Sequence, residues 1–210
     1  MISNSFFDRD PALVAYDLIG KVLCRKIGDI WRYARIVETE AYYMYEHGSH
    51  ASLGYTYKRR ALYMPAGTVY MYYSRGGDSF NVSCRGEGNA VLIKAGTAED
   101  VNAMEVLMAM RTENPVITKS GNEKPREISR LCAGQTIFCR SMRLKVSEHN
   151  AILFDKNSCY FKSDGYAPES VVCSVRHGIP KGRDEHLPLR YFDPAFVKST
   201  TSGRYKTNMP

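Results

Sequence analysis

Two glutamates, Glu38 and Glu40, flank Thr39 near the end of the run WRYARIVETEAY over residues 31–42. Side chains two apart on an extended strand point to the same face, so Glu38, Glu40 and Tyr42 share a face if this run is a strand. A carboxylate so placed is either a solvent-exposed edge charge or a positioned base that can take a proton from water. Immediately downstream the chain is aromatic: Tyr42, Tyr43, Tyr45, Tyr55, Tyr57, Tyr63, Tyr70, Tyr72 and Tyr73 make nine of its 15 tyrosines. They are interleaved with Lys58, Arg59 and Arg60 and with His47 and His50. Aromatic faces stack on bases and cations track phosphates, so this composition suits an unpaired or extruded nucleotide. Tyrosine is also a good strand residue, and about half of the set is expected only to pack a sheet. His47 and His50, three apart, could share a metal ion, although no helical pattern supports that pairing.

These residues need elements to hold them. Asp10-Pro11 has the form of an N-cap with proline at the first helical position, and Leu13, Leu18 and Gly20 fit a short helix closed by glycine. KVLCRKI (21–27) and residues 31–42 read as strands joined by a hairpin at Gly28-Asp29. Residues 43–61 show no sustained apolar period and read as a long loop, a feature that in compact domains is usually functional. TVYMYYS (68–74), a turn at RGGD (75–78), SFNVSC (79–84), a turn at Gly86-Glu87-Gly88 and AVLIKA (90–95) form an antiparallel meander. A helix is predicted over 97–111 behind a Thr97 cap, with Val101, Met104 and Met108 as its core stripe. Residues 112–126 read as a mobile loop and 127–143 as a helix interrupted at Gly134. Strands near 151–161 and 169–176 and a basic loop with Lys181 and Arg183 complete the layout. The expected class is α+β, a single compact domain with an antiparallel or mixed sheet and flanking helices.

Composition bounds what such a domain can do. The 210 residues are 44% hydrophobic and 24% charged, ordinary for a folded globular chain. The formal net charge of +7 raises encounter rates with polyanions, nucleic acid or anionic membrane. No run approaches the roughly 18 apolar residues of a membrane span, and the N-terminus lacks a signal-peptide pattern, so a cytoplasmic protein is expected. Cys24, Cys84, Cys132, Cys139, Cys159 and Cys173 show no CxxC pair and are expected to be buried apolar residues rather than zinc ligands or disulfides.

The strings RIVETEAYY (35–43), GSHA (48–51), MPAGTVYMYY (64–73) and FNVSCRGEGNAVLIKA (80–95), in this order, resemble the alkyladenine (3-methyladenine) DNA glycosylase family. The resemblance extends from SFFDRDPALVAYDLIGKVL (5–23) to HLPLRYF (186–192). It implies a glycosylase domain over residues 1–200, with 201–210 a flexible tail, and a fold similar to the C-terminal domain of methionyl-tRNA formyltransferase. It implies no metal and no organic cofactor. The expected activity is base excision from double-stranded DNA carrying alkylated or deaminated purines, by a monomer that leaves an abasic site without strand cleavage, nucleoid-associated if bacterial.

By that resemblance Glu40 is the expected general base for the attacking water. Tyr42, His50 and Tyr72 match the residues that sandwich and hydrogen-bond the flipped base, and Asn81 matches the asparagine that discriminates against guanine. Lys94 stands where the family usually has an arginine beside the pocket, and Ile179 matches a backbone position near the water. Lys58, Arg59 and Arg60 are expected on the DNA backbone. The turn that in the family carries an intercalating tyrosine reads SRGGDS here, placing Arg75 at the wedge position, and a GPGKL-like segment is replaced by GQTIF (134–138). A damaged-DNA-binding or tRNA-binding module of the same fold without catalysis is the alternative.

Overall fold

Asp10 accepts hydrogen bonds from the backbone N–H of Ala12 and Leu13 and is followed by proline, so it caps α1 (Pro11–Leu18) as the sequence predicts. The computed structural model describes residues 1–74 and 76–204. β1 (Val22–Ile27) turns into β2 (Ile30–Tyr42), a strand of 13 residues that serves as the spine of the sheet. The predicted meander forms as β3 (Val69–Ser74), β4 (Gly77–Ser83) and β5 (Ala90–Thr97). Three later strands join the same sheet: β8 (Cys159–Lys162), β9 (Val172–Ser174) and β10 (Arg190–Phe192). β6 (Val116–Ile117) and β7 (Glu123–Lys124) make a separate small hairpin.

The main path of the sheet runs β3-β4-β5-β2-β1-β8, and the named strand pairs are antiparallel. One edge of β2 is shared: its first half pairs with β1, while Glu38, Thr39 and Glu40 pair with Phe192, Tyr191 and Arg190 of β10, which in turn carries β9. The other edge pairs with β5 from Arg35 to Tyr42, and the register shifts on either side of Glu38. Such irregularities re-aim side chains and are frequent beside functional sites.

Alternation along β2 sorts the two faces. Thr39 turns to α1, donating its hydroxyl to the carbonyl of Ala15 at 2.8 Å. On that side lies the apolar core, with the fully buried rings of Phe7, Phe80, Phe138 and Phe161. Glu38, Glu40 and Tyr42 take the opposite face. The result is a single compact domain of mixed α and β content built on a mostly antiparallel sheet. No helix among the described residues is long and apolar enough to cross a membrane.

Several expectations are corrected. Thr97 caps no helix: it ends β5, buried opposite Arg35. α2 (Met104–Glu113) starts after Ala103 because Asp100 pairs with Arg35 at 2.5 Å and Asn102 bonds both backbone groups of Tyr33, pinning the preceding loop to β2. Its inward residues are therefore Leu107 and Met110, while Met104 and Met108 are exposed. The loop expected over 43–61 holds a 3-10 turn, His50–Leu53, and leads into a second, Tyr57–Tyr63, held by the Ser49 and Thr56 side chains. Residues 112–126, expected as a mobile loop, include the β6–β7 hairpin.

Gly134 does interrupt the 127–143 segment. With φ at +107° it separates a 3-10 turn from α3 (Gln135–Ser141), and α4 (Val146–His149) follows. The strands expected near 151–161 and 169–176 shrink to β8 and β9, and β10 was not foreseen at all. Five cysteines are buried, but Cys173 is exposed because β9 lies at an edge of the sheet. Thr201 donates its N–H to Glu38 at 2.6 Å. Of the segment expected as a tail, residues 205–210 lie outside the described residues.

Candidate active site

The two glutamates of β2 are both fully buried, and their partners separate them. Glu38 is consumed by structure: Oε1 accepts from Arg190 Nε at 2.5 Å and Oε2 from the backbone of Thr201. Glu40 instead faces groups that line a cavity. Its Oε2 accepts from the Tyr42 hydroxyl at 2.8 Å and from Lys94 Nζ at 3.3 Å, and its Oε1 accepts from the backbone N–H of His177 at 3.3 Å. Lys94 reaches it from the neighbouring strand at a register shift, where Thr39 pairs with Ile93 but Glu38 pairs with Ala95.

Tyr42, Lys94 and His177 belong to the wall of a cavity of about 300 Å³, the lower end of the size range of small-molecule sites. β3 and β4 supply Tyr70, Tyr72 and Asn81 to it, the 3-10 turn at residues 50–53 supplies His50 and Leu53, and the 177–183 segment supplies Ile179 and Arg183. The structure thus brings Tyr42, His50, Tyr72, Asn81, Lys94 and Ile179 onto one cavity, with Glu40 behind its wall. Segments far apart in sequence close tightly here: a Cβ on Gly48 would lie 2.9 Å from the carbonyl oxygen of Arg183 and 3.2 Å from the Ile179 side chain.

Rings dominate the lining. The His50 and Tyr72 centroids are 4.2 Å apart at 61°, and His50 Nδ1 lies 3.1 Å from the Tyr70 hydroxyl. Asn81 is anchored by donation from Nδ2 to the carbonyl of Tyr70 at 3.1 Å. Burial, then the negative charge of Glu40, pushes the Tyr42 hydroxyl well above its ordinary range, which keeps it a proton donor to the carboxylate. Burial, then the charges of Arg59 and Arg183, pushes His50 below its ordinary 6.5. His177 is lowered as well, by burial and then by Arg190.

The remaining expected residues are placed differently. Lys58 is exposed, whereas Arg59 donates to the carbonyl of Gly54, and Arg60 folds over the Tyr57 ring at 4.1 Å. Arg75 lies outside the described residues. His47 and His50, considered as a metal pair, turn to different partners: His47 Nδ1 is 3.2 Å from Asp184 and His50 faces Tyr70. Among the described residues no group of three or more His, Cys, Asp or Glu side chains could hold a metal ion.

Sequence reasoning missed His177, Arg176, Glu46 and Gln135. Gln135, in the altered GQTIF segment, lines the cavity and donates to the Ser79 hydroxyl at 2.8 Å. Arg176 and His177 stand in RHGIP, where only Ile179 was singled out. The charged first residue of that string was the available signal for Arg176.

Comparison with known proteins identifies the family. Residues 5–195 match the profile of the methylpurine-DNA glycosylase family. A Pseudomonas aeruginosa protein is 50% identical over 202 residues, covering 95% of this chain and 83% of the relative, and one from Pseudomonas fluorescens is 46% identical, covering 95% and 86%. A Koribacter versatilis protein is 29% identical over 90% of this chain and 88% of its own length. All three carry the name "Putative 3-methyladenine DNA glycosylase". The chain therefore belongs to the methylpurine-DNA glycosylase family, whose chemistry is DNA base-excision repair.

Proposed function

We propose that this protein hydrolyses the N-glycosidic bond of alkylated and deaminated purines flipped out of double-stranded DNA, using a water deprotonated by Glu40. The observation that carries this reading is a fully buried carboxylate held by Tyr42, Lys94 and the His177 N–H directly behind a ring-lined cavity. A base inside the stack cannot be attacked at its sugar, so the nucleotide must rotate into a pocket at a cost of a few kcal/mol. Stacking worth roughly 1–3 kcal/mol per base offsets part of that cost.

In the proposed reaction, water oxygen attacks C1′, the C1′–N9 electron pair leaves with the base, and the water proton passes to Glu40. Alkylation at N3 or N7 makes the purine a cation. It is then a better leaving group and is drawn to electron-rich rings. Tyr42, Tyr72 and His50 sandwich and hydrogen-bond it, and Asn81 rejects the exocyclic amino group of guanine. Lys94 and the Ile179 backbone flank the water. Lys58, Arg59 and Arg60 lie along the DNA backbone, and Arg75 fills the gap left by the flipped nucleotide. No lysine nucleophile is required, so the product is an abasic site without strand cleavage, and neither metal nor organic cofactor takes part.

The same reading assigns the glycosylase domain to residues 1–200. It further assigns a fold similar to the C-terminal domain of methionyl-tRNA formyltransferase, a monomeric state, and work in the cytoplasm at the nucleoid. Incubation with duplexes carrying 3-methyladenine, 7-methylguanine, hypoxanthine or ethenoadenine, followed by alkaline cleavage at abasic sites, tests the activity. Excision of at least one lesion is expected. No excision of any of them overturns the reading, and strand breaks without alkali overturn its monofunctional part.

A further inference from the structure

Arg176 lies beside the cavity with 0% exposure of its side chain, and both of its terminal nitrogens are engaged while Nε has no partner. Its guanidinium meets three separate parts of the chain. Nη1 donates to the carbonyl of Ala41 at 2.9 Å, at the end of the strand that bears Glu40. Nη2 pairs with Glu46, itself 1% exposed, and donates to the carbonyl of Asp184 at 3.5 Å. The guanidinium carbon sits 4.5 Å from the centre of the Tyr42 ring. Glu46 in turn accepts from the backbone N–H of Tyr43 at 2.8 Å, so it anchors the turn that leads to Gly48, Ser49 and His50 of the cavity wall. The residue after Arg176 is His177, whose N–H holds Glu40.

We propose that Arg176, through its buried pair with Glu46, is a positioning residue that locks the two rims of the base cavity together and fixes the plane of Tyr42. The proposal rests on the glycosylase reading and concerns how its cavity is kept in shape. A planar fork can reach Ala41, Glu46 and Asp184 while stacking on a ring; an ammonium offers neither the fork nor the plane. The guanidinium also covers one face of Tyr42, which leaves the other for a base. A buried ion pair is often replaceable by apolar residues of similar volume without loss of stability, whereas removing one partner strands a charge. Retention of the pair here serves the geometry of the cavity. The two rims are cross-tied elsewhere too, since Arg183 donates to the carbonyl of His47 and Asp184 accepts from its N–H, so the fold outlasts loss of this one tie.

The test compares wild type, Arg176→Lys, Glu46→Gln and the double variant Arg176→Met with Glu46→Leu. Glu46→Gln keeps the volume of the native side chain. The double variant leaves no stranded charge. Melting temperature, Kd for undamaged duplex and single-turnover excision of a 7-methylguanine duplex are measured for each, at a temperature where all are folded. Displacing a reacting group by about 1 Å costs roughly 100-fold in rate, so folded variants are expected to excise roughly 100-fold more slowly with unchanged Kd for undamaged duplex. A folded variant lacking the pair that excises within threefold of wild type overturns the proposal. Rate and undamaged-DNA affinity falling together also overturn it, since that is general loss of structure. Failure of wild type itself to excise any of the four lesions named above would strike the glycosylase reading instead, and is read from wild type alone.

Discussion

Replacing Glu40 by glutamine removes a charge while keeping the shape of the side chain, and the structure sets the size of both consequences. Over the 3.3 Å to Lys94 Nζ, Coulomb attraction at an effective dielectric of about 20 is at most about 5 kcal/mol. The amide escapes the desolvation cost of a buried carboxylate, but the Lys94 ammonium, its side chain 9% exposed, is left without its counter-charge. The donors are mismatched as well. Glu40 accepts from Tyr42, Lys94 and His177 on two oxygens, whereas glutamine has one oxygen, so at least one donor faces its NH2. One unsatisfied buried donor costs about 1–3 kcal/mol, and breaking a buried pair by removing one partner costs about 3–5 kcal/mol in all, a fall of about 6–20 °C in Tm for a chain of this size. Losing a positioned base lowers the chemical rate by about 10²–10⁴-fold. The assay is single-turnover excision with enzyme in excess over a duplex containing one lesion, run well below the variant's Tm, with lesion-duplex Kd measured in parallel. A folded variant that binds lesion DNA and excises within tenfold of wild type would refute Glu40 as the base. One that has lost lesion binding as well would mean that the carboxylate's role is structural.

Tyr72→Ala should weaken binding to lesion duplex by about 1–3 kcal/mol and leave undamaged duplex nearly unaffected; equal losses in a binding titration would make the ring a packing residue only. Asn81→Ser should raise excision of guanine lesions relative to adenine lesions, because the shorter side chain relieves the clash with the exocyclic amino group, and an unchanged ratio in a competition assay would remove that role. His50 lies below 6.5 through burial and then the Arg59 and Arg183 charges, so it is neutral at pH 7 and its share of stability is lost as pH falls below 6.5. Protonation there also sets a cation against a cationic base, so excision of 7-methylguanine should decline below pH 6.5 and decline less in His50→Gln; identical pH profiles would contradict this. Arg75→Lys should slow base flipping, read with a fluorescent base beside the lesion, and Arg75→Tyr should restore it, because lysine keeps a point charge but loses the planar surface. Normal flipping with lysine and poorer flipping with tyrosine would make Arg75 a phosphate contact.

Much of this site is written in short-range pattern. The two-residue period of VETEAY puts Glu38, Glu40 and Tyr42 on one face, and the Gly-punctuated aromatic runs around Tyr72 and Asn81 make the β3–β4 hairpin that carries them. Asp10 with Pro11 starts α1 for reasons contained in two residues. Other features have no local cause. The period cannot say which glutamate faces the cavity; Arg190 and Thr201, 152 and 163 residues further on, decide it by taking Glu38. Thr97 and the residues after it have a plausible helical pattern, yet contacts to Arg35 and Tyr33 hold them on the sheet and delay α2. β10, three residues long, is too short to show a period and exists because β2 offers it an edge; it in turn carries β9. Arg176 and Glu46 are 130 residues apart and find one another only inside the folded chain. Alternation and capping act between neighbours and are legible in the residues themselves, whereas the partners of a buried charge depend on which distant segments the closed sheet brings against it.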